Sequence, residues 1–105
     1  MKVDIRVTRY TISALPPDHR DYDEYSILVE ERAKDLWGVF DGSYSLGTDG
    51  VWEYEPRPSA RTKEWLATHR FDGTTAVLLA TAAAREMSVN GKSVAAVLRE
   101  DGESR

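Results

Sequence analysis

Val3, Ile5 and Val7 alternate with Asp4, Arg6 and Thr8 at the start of the chain. A period of two predicts a half-buried strand. Tyr10 and Ile12 fall on the opposite parity. Either a bulge near Thr8-Arg9 switches the face, or the far end is covered on both sides. Leu15-Pro16-Pro17-Asp18 stops the strand, because neither proline can donate to a ladder, and the polar run His19 to Glu24 reads as a loop. Tyr25, Ile27 and Val29 share one parity and predict a second strand that turns charged at Glu30-Glu31-Arg32. Ala33-Lys34-Asp35 reads as a turn. A third strand follows over Leu36 to Phe40, with Trp37 and Val39 on one face and Leu36 and Phe40 on the other, and Asp41-Gly42 ends or bends it. Ser43 to Leu46 and Val51 to Glu55 flank Gly47-Thr48-Asp49-Gly50, a four-residue connection that suits a hairpin. On its second arm Trp52 and Tyr54 share a side.

Pro56-Arg57-Pro58-Ser59 marks a change of architecture. Ser59 is placed to cap a helix over Ala60 to about His69, with Trp65, Leu66 and His69 on one face. Asp72 is a second cap candidate, for a helix from Gly73 to about Glu86. There Ala76, Leu79, Ala80, Ala83 and Met87 form a stripe at helical spacing, and the other faces are also apolar or small, so little of this helix should meet water. Asn90-Gly91 is a hairpin turn signal, yet Ser93 can cap a helix through Val94, Val97 and Leu98. The preferred reading of 87–100 is a short extended piece, a turn, then a helix. The expected fold is therefore α+β: an antiparallel sheet of four to five strands within residues 2–56, followed by two to three helices within 59–100 packed on one face, with a fraying polar tail over 101–105. At 105 residues this is one domain.

Composition agrees with a packed core: 41% of residues are hydrophobic and 10% aromatic, richer than disordered chains. The absence of cysteine excludes disulfides, thiolate metal sites and a Cys nucleophile, and favours a reducing, cytoplasmic setting. The N-terminus lacks the continuous apolar block of a signal peptide, and the longest apolar stretch, Ala76 to Ala80, is far too short to span a membrane. Charge is unevenly spread. Residues 18–55 carry eleven acids and three bases, net −8, whereas 56–99 carry three acids and seven bases, net +4. One account is mutual attraction within the fold, or two solvated faces; the other is a partner-binding surface.

The chemical motifs are fragmentary. His19-Arg20-Asp21 echoes a kinase catalytic loop but lacks the Gly-rich loop and the downstream Asn. Gly91-Lys92-Ser93 resembles the end of a phosphate-binding loop, but Glu86 stands where that loop needs glycine. Asp21-Tyr22-Asp23-Glu24 has the acidic density of a calcium loop without its sixth-position Gly, and Arg32 occupies the place of its last ligand. His19 and His69 are the only histidines, and neither belongs to a spaced ligand pair. His69 reads as the last-turn residue of its helix. Glu53 and Glu55 share a strand face, as exposed sheet acids also would, and no serine sits in a Gly-x-Ser-x-Gly turn. No catalytic residue, cofactor or metal is assigned.

Three surface features remain. The aromatic set of Trp37, Trp52, Tyr54 and Trp65 is large for one small core, so Trp52, Tyr54 and Trp65 are candidate interface anchors. The acids Asp21, Asp23 and Glu24, with Glu30 and Glu31, suit an acidic decoy that occupies a basic, nucleic-acid-binding site on another protein. Arg57 and Arg61, with Lys63 and Arg70, cluster along the first helix, although the net charge of −4 disfavours nucleic acid as a direct ligand. The expectation is a non-catalytic interaction domain that binds another protein or itself. A small enzyme using His19 or His69 with a carboxylate is the further alternative.

The run Ser45-Leu46-Gly47-Thr48-Asp49-Gly50-Val51-Trp52-Glu53-Tyr54-Glu55-Pro56-Arg57-Pro58-Ser59, with Leu36-Trp37 before it and Val89-Asn90-Gly91 after it, resembles short proteins of high-GC actinobacteria and their phages. No activity is assigned to that group. The resemblance implies a small accessory or phage-encoded factor and no particular site residues.

Overall fold

The computed structural model describes residues 1–103, and its organising element is an antiparallel sheet in sequence order, β1-β2-β3-β4-β5. The strands are β1 (Arg9–Ser13), β2 (Ser26–Ala33), β3 (Leu36–Asp41), β4 (Tyr44–Leu46) and β5 (Trp52–Tyr54). The links from β2 to β5 are short, whereas β1 reaches β2 through the loop of residues 14–25. Lys34-Asp35 turns β2 into β3 with Asp35 at φ 52°, and Gly42 at φ 58° turns β3 into β4. In the loop between β4 and β5, Asp49 accepts the Val51 amide. A register shift between Glu31 and Ala33 bulges β2 beside its turn.

One 3₁₀ turn (Pro58–Ala60) leads to α1 (Lys63–His69) and α2 (Gly73–Arg85), and a small hairpin, β6 (Ser88–Val89) and β7 (Lys92–Ser93), leads to α3 (Val94–Glu103). The fold is thus mixed α+β, with a five-stranded antiparallel sheet followed by three helices. Asp72 caps α2 by accepting the Thr75 amide, as its position predicts. The cap of α1 is Thr62, which accepts the Trp65 amide, and not Ser59, which lies inside the 3₁₀ turn. Both signals in 87–100 are realised. Asn90 and Gly91 (φ 51° and 79°) form the two-residue turn. Ser93 then accepts the Ala96 amide and caps α3. The expected tail is helical as far as Glu103, while Ser104 and Arg105 lie outside the described residues.

The core forms where α2 and α3 meet one face of the sheet. Ile27, Val29 and Val39 have no exposed surface and pack with Trp37, Leu46 and Phe71 against Ala76, Ala80 and Ala84 of α2 and Val94 and Val97 of α3. The alanines let the α2 backbone approach closely. Their stripe is narrower than expected: Leu78 is 66% exposed, so one side of α2 is open to solvent. Phe40 lies on the other parity of β3 and is buried under two guanidinium groups, of Arg32 and Arg70. Phe71 exchanges two backbone hydrogen bonds with Trp37, filling the ladder position where β4 falls short.

The first strand departs from expectation. Residues 1–8 carry no strand, and Val3, Ile5 and Val7 are exposed at 78%, 93% and 56%. The cause is parity. Tyr10 and Ile12 pair with Val29 and Ile27 on the helix-covered face, so the odd positions of an extended chain fall on the uncovered face. Neither a bulge in β1 nor a second covering layer rescues them. The chain measures 48 × 40 × 20 Å with a radius of gyration of 15.6 Å, above the about 13 Å of a compact chain of this length. A flat sheet with a projecting arm explains the excess.

Candidate interaction surface

The arm, residues 1–8, is joined to the sheet at one end. Thr8 O accepts the Glu31 amide, and Arg6 Nη2 meets Glu31 Oε1 at 2.6 Å. Among the described residues, no other backbone group of residues 1–8 hydrogen-bonds within the chain. A segment with three exposed β-branched side chains and an unpaired backbone therefore leads into the open edge of β1. Beside it, Arg6, Tyr10, Trp37, Val77 and Leu78 line a shallow groove between β1 and α2. The Tyr10 and Trp37 rings lie 5.7 Å apart there.

The histidines sit on different elements, His19 in the loop before β2 and His69 in the last turn of α1. His19 Nδ1 accepts the Asp21 amide, and Nε2 lies 2.5 Å from Asp101 Oδ2. Both ring nitrogens are engaged, and the pair ties the loop before β2 to α3. His69 Nδ1 lies 2.9 Å from Trp65 O and 2.8 Å from the Thr68 hydroxyl. Its Nε2 is buried without a hydrogen-bond partner, 3.6 Å from Glu53 Oε2. A Cβ built on Gly47 would stand 3.1 Å from that nitrogen, so the glycine backbone already fills the approach. The two histidines hang on separate elements. Among the described residues, no group of three or more His, Asp or Glu side chains is disposed to hold a metal ion.

The paired acids also separate. Glu53 points toward His69, while Glu55 receives Arg70 at 2.7 and 3.2 Å and Arg61 at 2.7 Å. Burial works to raise the Glu55 pKa, but the hydrogen bonds and charge of Arg70, with the charge of Arg61, outweigh it and leave the carboxyl below its ordinary range. The nearby Ser45 hydroxyl acts in the same direction without meeting hydrogen-bond geometry. Arg70 stacks over both Phe40 and Trp65. This cluster joins the acidic half of the chain to the basic half, and its charges are spent inside the fold.

The candidate surface residues are scattered. Trp52 is half-buried against the core, and Trp65 is half-buried with its ring stacked 4.1 Å from His69. Tyr54 is 68% exposed and meets Tyr44 edge-on across β4 and β5. Asp23 and Glu24 are exposed and Asp21 half-buried in the loop before β2. Glu30 and Glu31, which completed the acidic set, are neutralised by Arg9 and Arg32 and by Arg6. The Arg9 hydrogen bond is the largest influence holding the Glu30 pKa below its usual value. Arg57 is exposed, but Arg61 is turned inward onto Pro56 O and Glu55, so the two do not form a common basic patch.

The period of two in Val3, Ile5 and Val7 predicts a half-buried strand and not a site. The signal that identifies them is the phase slip between Val3-Ile5-Val7 and Tyr10-Ile12: one sheet face cannot bury both sets. Comparison with protein-family models, curated proteins and solved structures finds no match. Among the described residues, no helix is long and apolar enough to cross a membrane.

Proposed function

We propose that this chain is a protein-binding module that recognises its partner by strand addition along the arm and the open edge of β1. The exposed alternating triad carries the reading. Complete burial of each Val or Ile side chain is worth about 1.5–3 kcal/mol, and the arm forgoes most of that in the isolated chain. The backbone of the arm is equally unsatisfied and offers a ladder of donors and acceptors. In strand addition the main chain supplies affinity and alternate side chains supply specificity. Natural edge strands are usually blunted against such pairing. Here charged residues alternate with the triad and leave its apolar face open. The lack of cysteine suits action in the reducing cytoplasm.

The test is a photo-crosslinking residue at position 5, compared with one at exposed Thr48, in cells that make the protein. Position 5 should give a discrete adduct that Thr48 does not. The Val3→Ser/Ile5→Ser/Val7→Ser variant should lose the complex while keeping its melting temperature. Identical adducts at both positions, or an undiminished complex in the triple variant, would refute the assignment.

A further inference from the structure

Building on the strand-addition reading, we infer that the arm's partner is the arm of a second copy, paired antiparallel about a two-fold axis through Ile5. The sequence Val3-Asp4-Ile5-Arg6-Val7 is self-complementary in that register. Ile5 faces Ile5, Val3 faces Val7, and Asp4 faces Arg6. All apolar pairs then lie on one face of the ribbon and both opposite-charge pairs on the other. Direct cross-strand pairs of these types are stabilising, whereas like charges in opposition are not. A shift by one residue would set the charged positions against the apolar ones and abolish the match. A two-fold interface requires this reciprocity, residue i meeting j while j meets i.

The backbone phase agrees. Thr8 directs its carbonyl at β2, through the bond from the Glu31 amide. Polar groups alternate sides along an extended chain, so in an arm paired as a strand those of Val3, Ile5 and Val7 would point to the open edge. Ile5 and its symmetry mate would therefore exchange both hydrogen bonds, as would each Val3–Val7 pair. Arg6 already bonds Glu31 of its own chain, which steadies the arm at the edge and leaves the guanidinium a second carboxylate to meet in Asp4 of the other copy. The two sheets would join edge to edge through about nine residues each. Such an interface is small beside the about 1,600 Å² of a standard stable complex, so the dimer should be concentration-dependent.

The chain has no cysteine, which permits register mapping with single substitutions in the full-length protein. Directly opposed residues have Cβ atoms about 4.5–5.5 Å apart, close to disulfide reach. Residue 3 and its own symmetry mate would be about 13 Å apart along the strands. Under mild oxidation Ile5→Cys should cross-link with itself about tenfold faster than Val3→Cys or Val7→Cys alone, since only the former brings its two sulfurs within reach through a small local shift instead of a slide along the strands. An equimolar mixture of Val3→Cys and Val7→Cys should form the mixed dimer, and exposed Val51→Cys should not dimerise. Sedimentation of the unmodified chain should show the mass rising toward twice the monomer with concentration, and Ile5→Lys should stay monomeric. Equal cross-linking at all four positions, or a strict monomer at every concentration with no Ile5→Cys dimer, would overturn the pairing. If the chain stays monomeric while the photo-crosslinker at position 5 captures a different protein, the two-fold register fails and strand addition survives. If neither occurs, both fail.

Discussion

Replacing Glu55 by Gln tests the ionic link between the two halves of the chain. The Glu55 side chain is 10% exposed, Arg70 3% and Arg61 19%, so the substitution strands one deeply buried guanidinium and one partly buried one. Breaking a buried ion pair by removing one partner costs about 3–5 kcal/mol, because the remaining charge has lost its compensation. Arg70 keeps its bond to His69 O and its place over the Phe40 and Trp65 rings, which sets the expectation at the lower end, about 3 kcal/mol. For a domain of this size that corresponds to a fall in Tm of about 12–20 °C. Acid unfolding should change as well. The folded carboxyl titrates below its unfolded value, so its contribution is fully present above the ordinary glutamate range of about 4.3–4.5 and is lost as pH falls through the folded pKa. Gln has no such titration, and the acid side of the stability profile should flatten, with Glu30 supplying part of what slope remains. The measurement is urea unfolding followed by tryptophan fluorescence from neutral pH down to the acid transition. A loss below about 1 kcal/mol, the range of surface ion pairs, would show that the cluster is solvated and that the halves are held together otherwise.

Three further outcomes follow from particular contacts. Gly38→Ala would place a Cβ 2.3 Å from Phe40 Cζ, so the ring must leave its seat; overpacking of this kind costs about 1–3 kcal/mol, readable by denaturant titration, and unchanged stability would mean that Phe40 is not held across Gly38. Asp101→Ala removes the acceptor that ties His19 to α3, and should raise hydrogen exchange in residues 16–25 and in α3 while leaving β2 and β3 protected; uniform protection would refute the tether. Deleting residues 1–5 should lower stability by no more than about 0.5 kcal/mol, as for surface changes remote from the core. A larger loss by thermal unfolding, at dilutions where the chain is monomeric, would mean that the arm packs within its own chain.

Most local elements were legible because their determinants lie within a few residues. The alternation of Tyr25-Ile27-Val29 and of Trp37-Val39 defines strand faces, Asp72 caps the helix that follows it, and Asn90-Gly91 makes the turn it announces. Both accounts of 87–100 proved compatible, since a two-residue turn leaves Ser93 free to begin α3. Thr62 displaced Ser59 as the cap of α1 because Pro58 and Ser59 are taken up in the 3₁₀ turn. The charge asymmetry was visible in the sequence, but its meaning lay in distances: Glu55 with Arg61 and Arg70, Glu53 beside His69, and His19 with Asp101.

By itself the sequence determined which segments can alternate, turn and cap, because hydrogen-bonding geometry and side-chain periodicity act over two to five residues. It also held the self-matching order of charges and apolar groups in the arm. Only the tertiary structure decided which of two apolar parities in residues 3–12 is covered. A sheet with helices on that face buries Val29 and Ile27, half-buries Ile12 and sets Tyr10 against Trp37, and has nothing to lay over Val3, Ile5 and Val7. Burial is a property of what stands opposite a residue, and that neighbour arrives from sixty or more positions away.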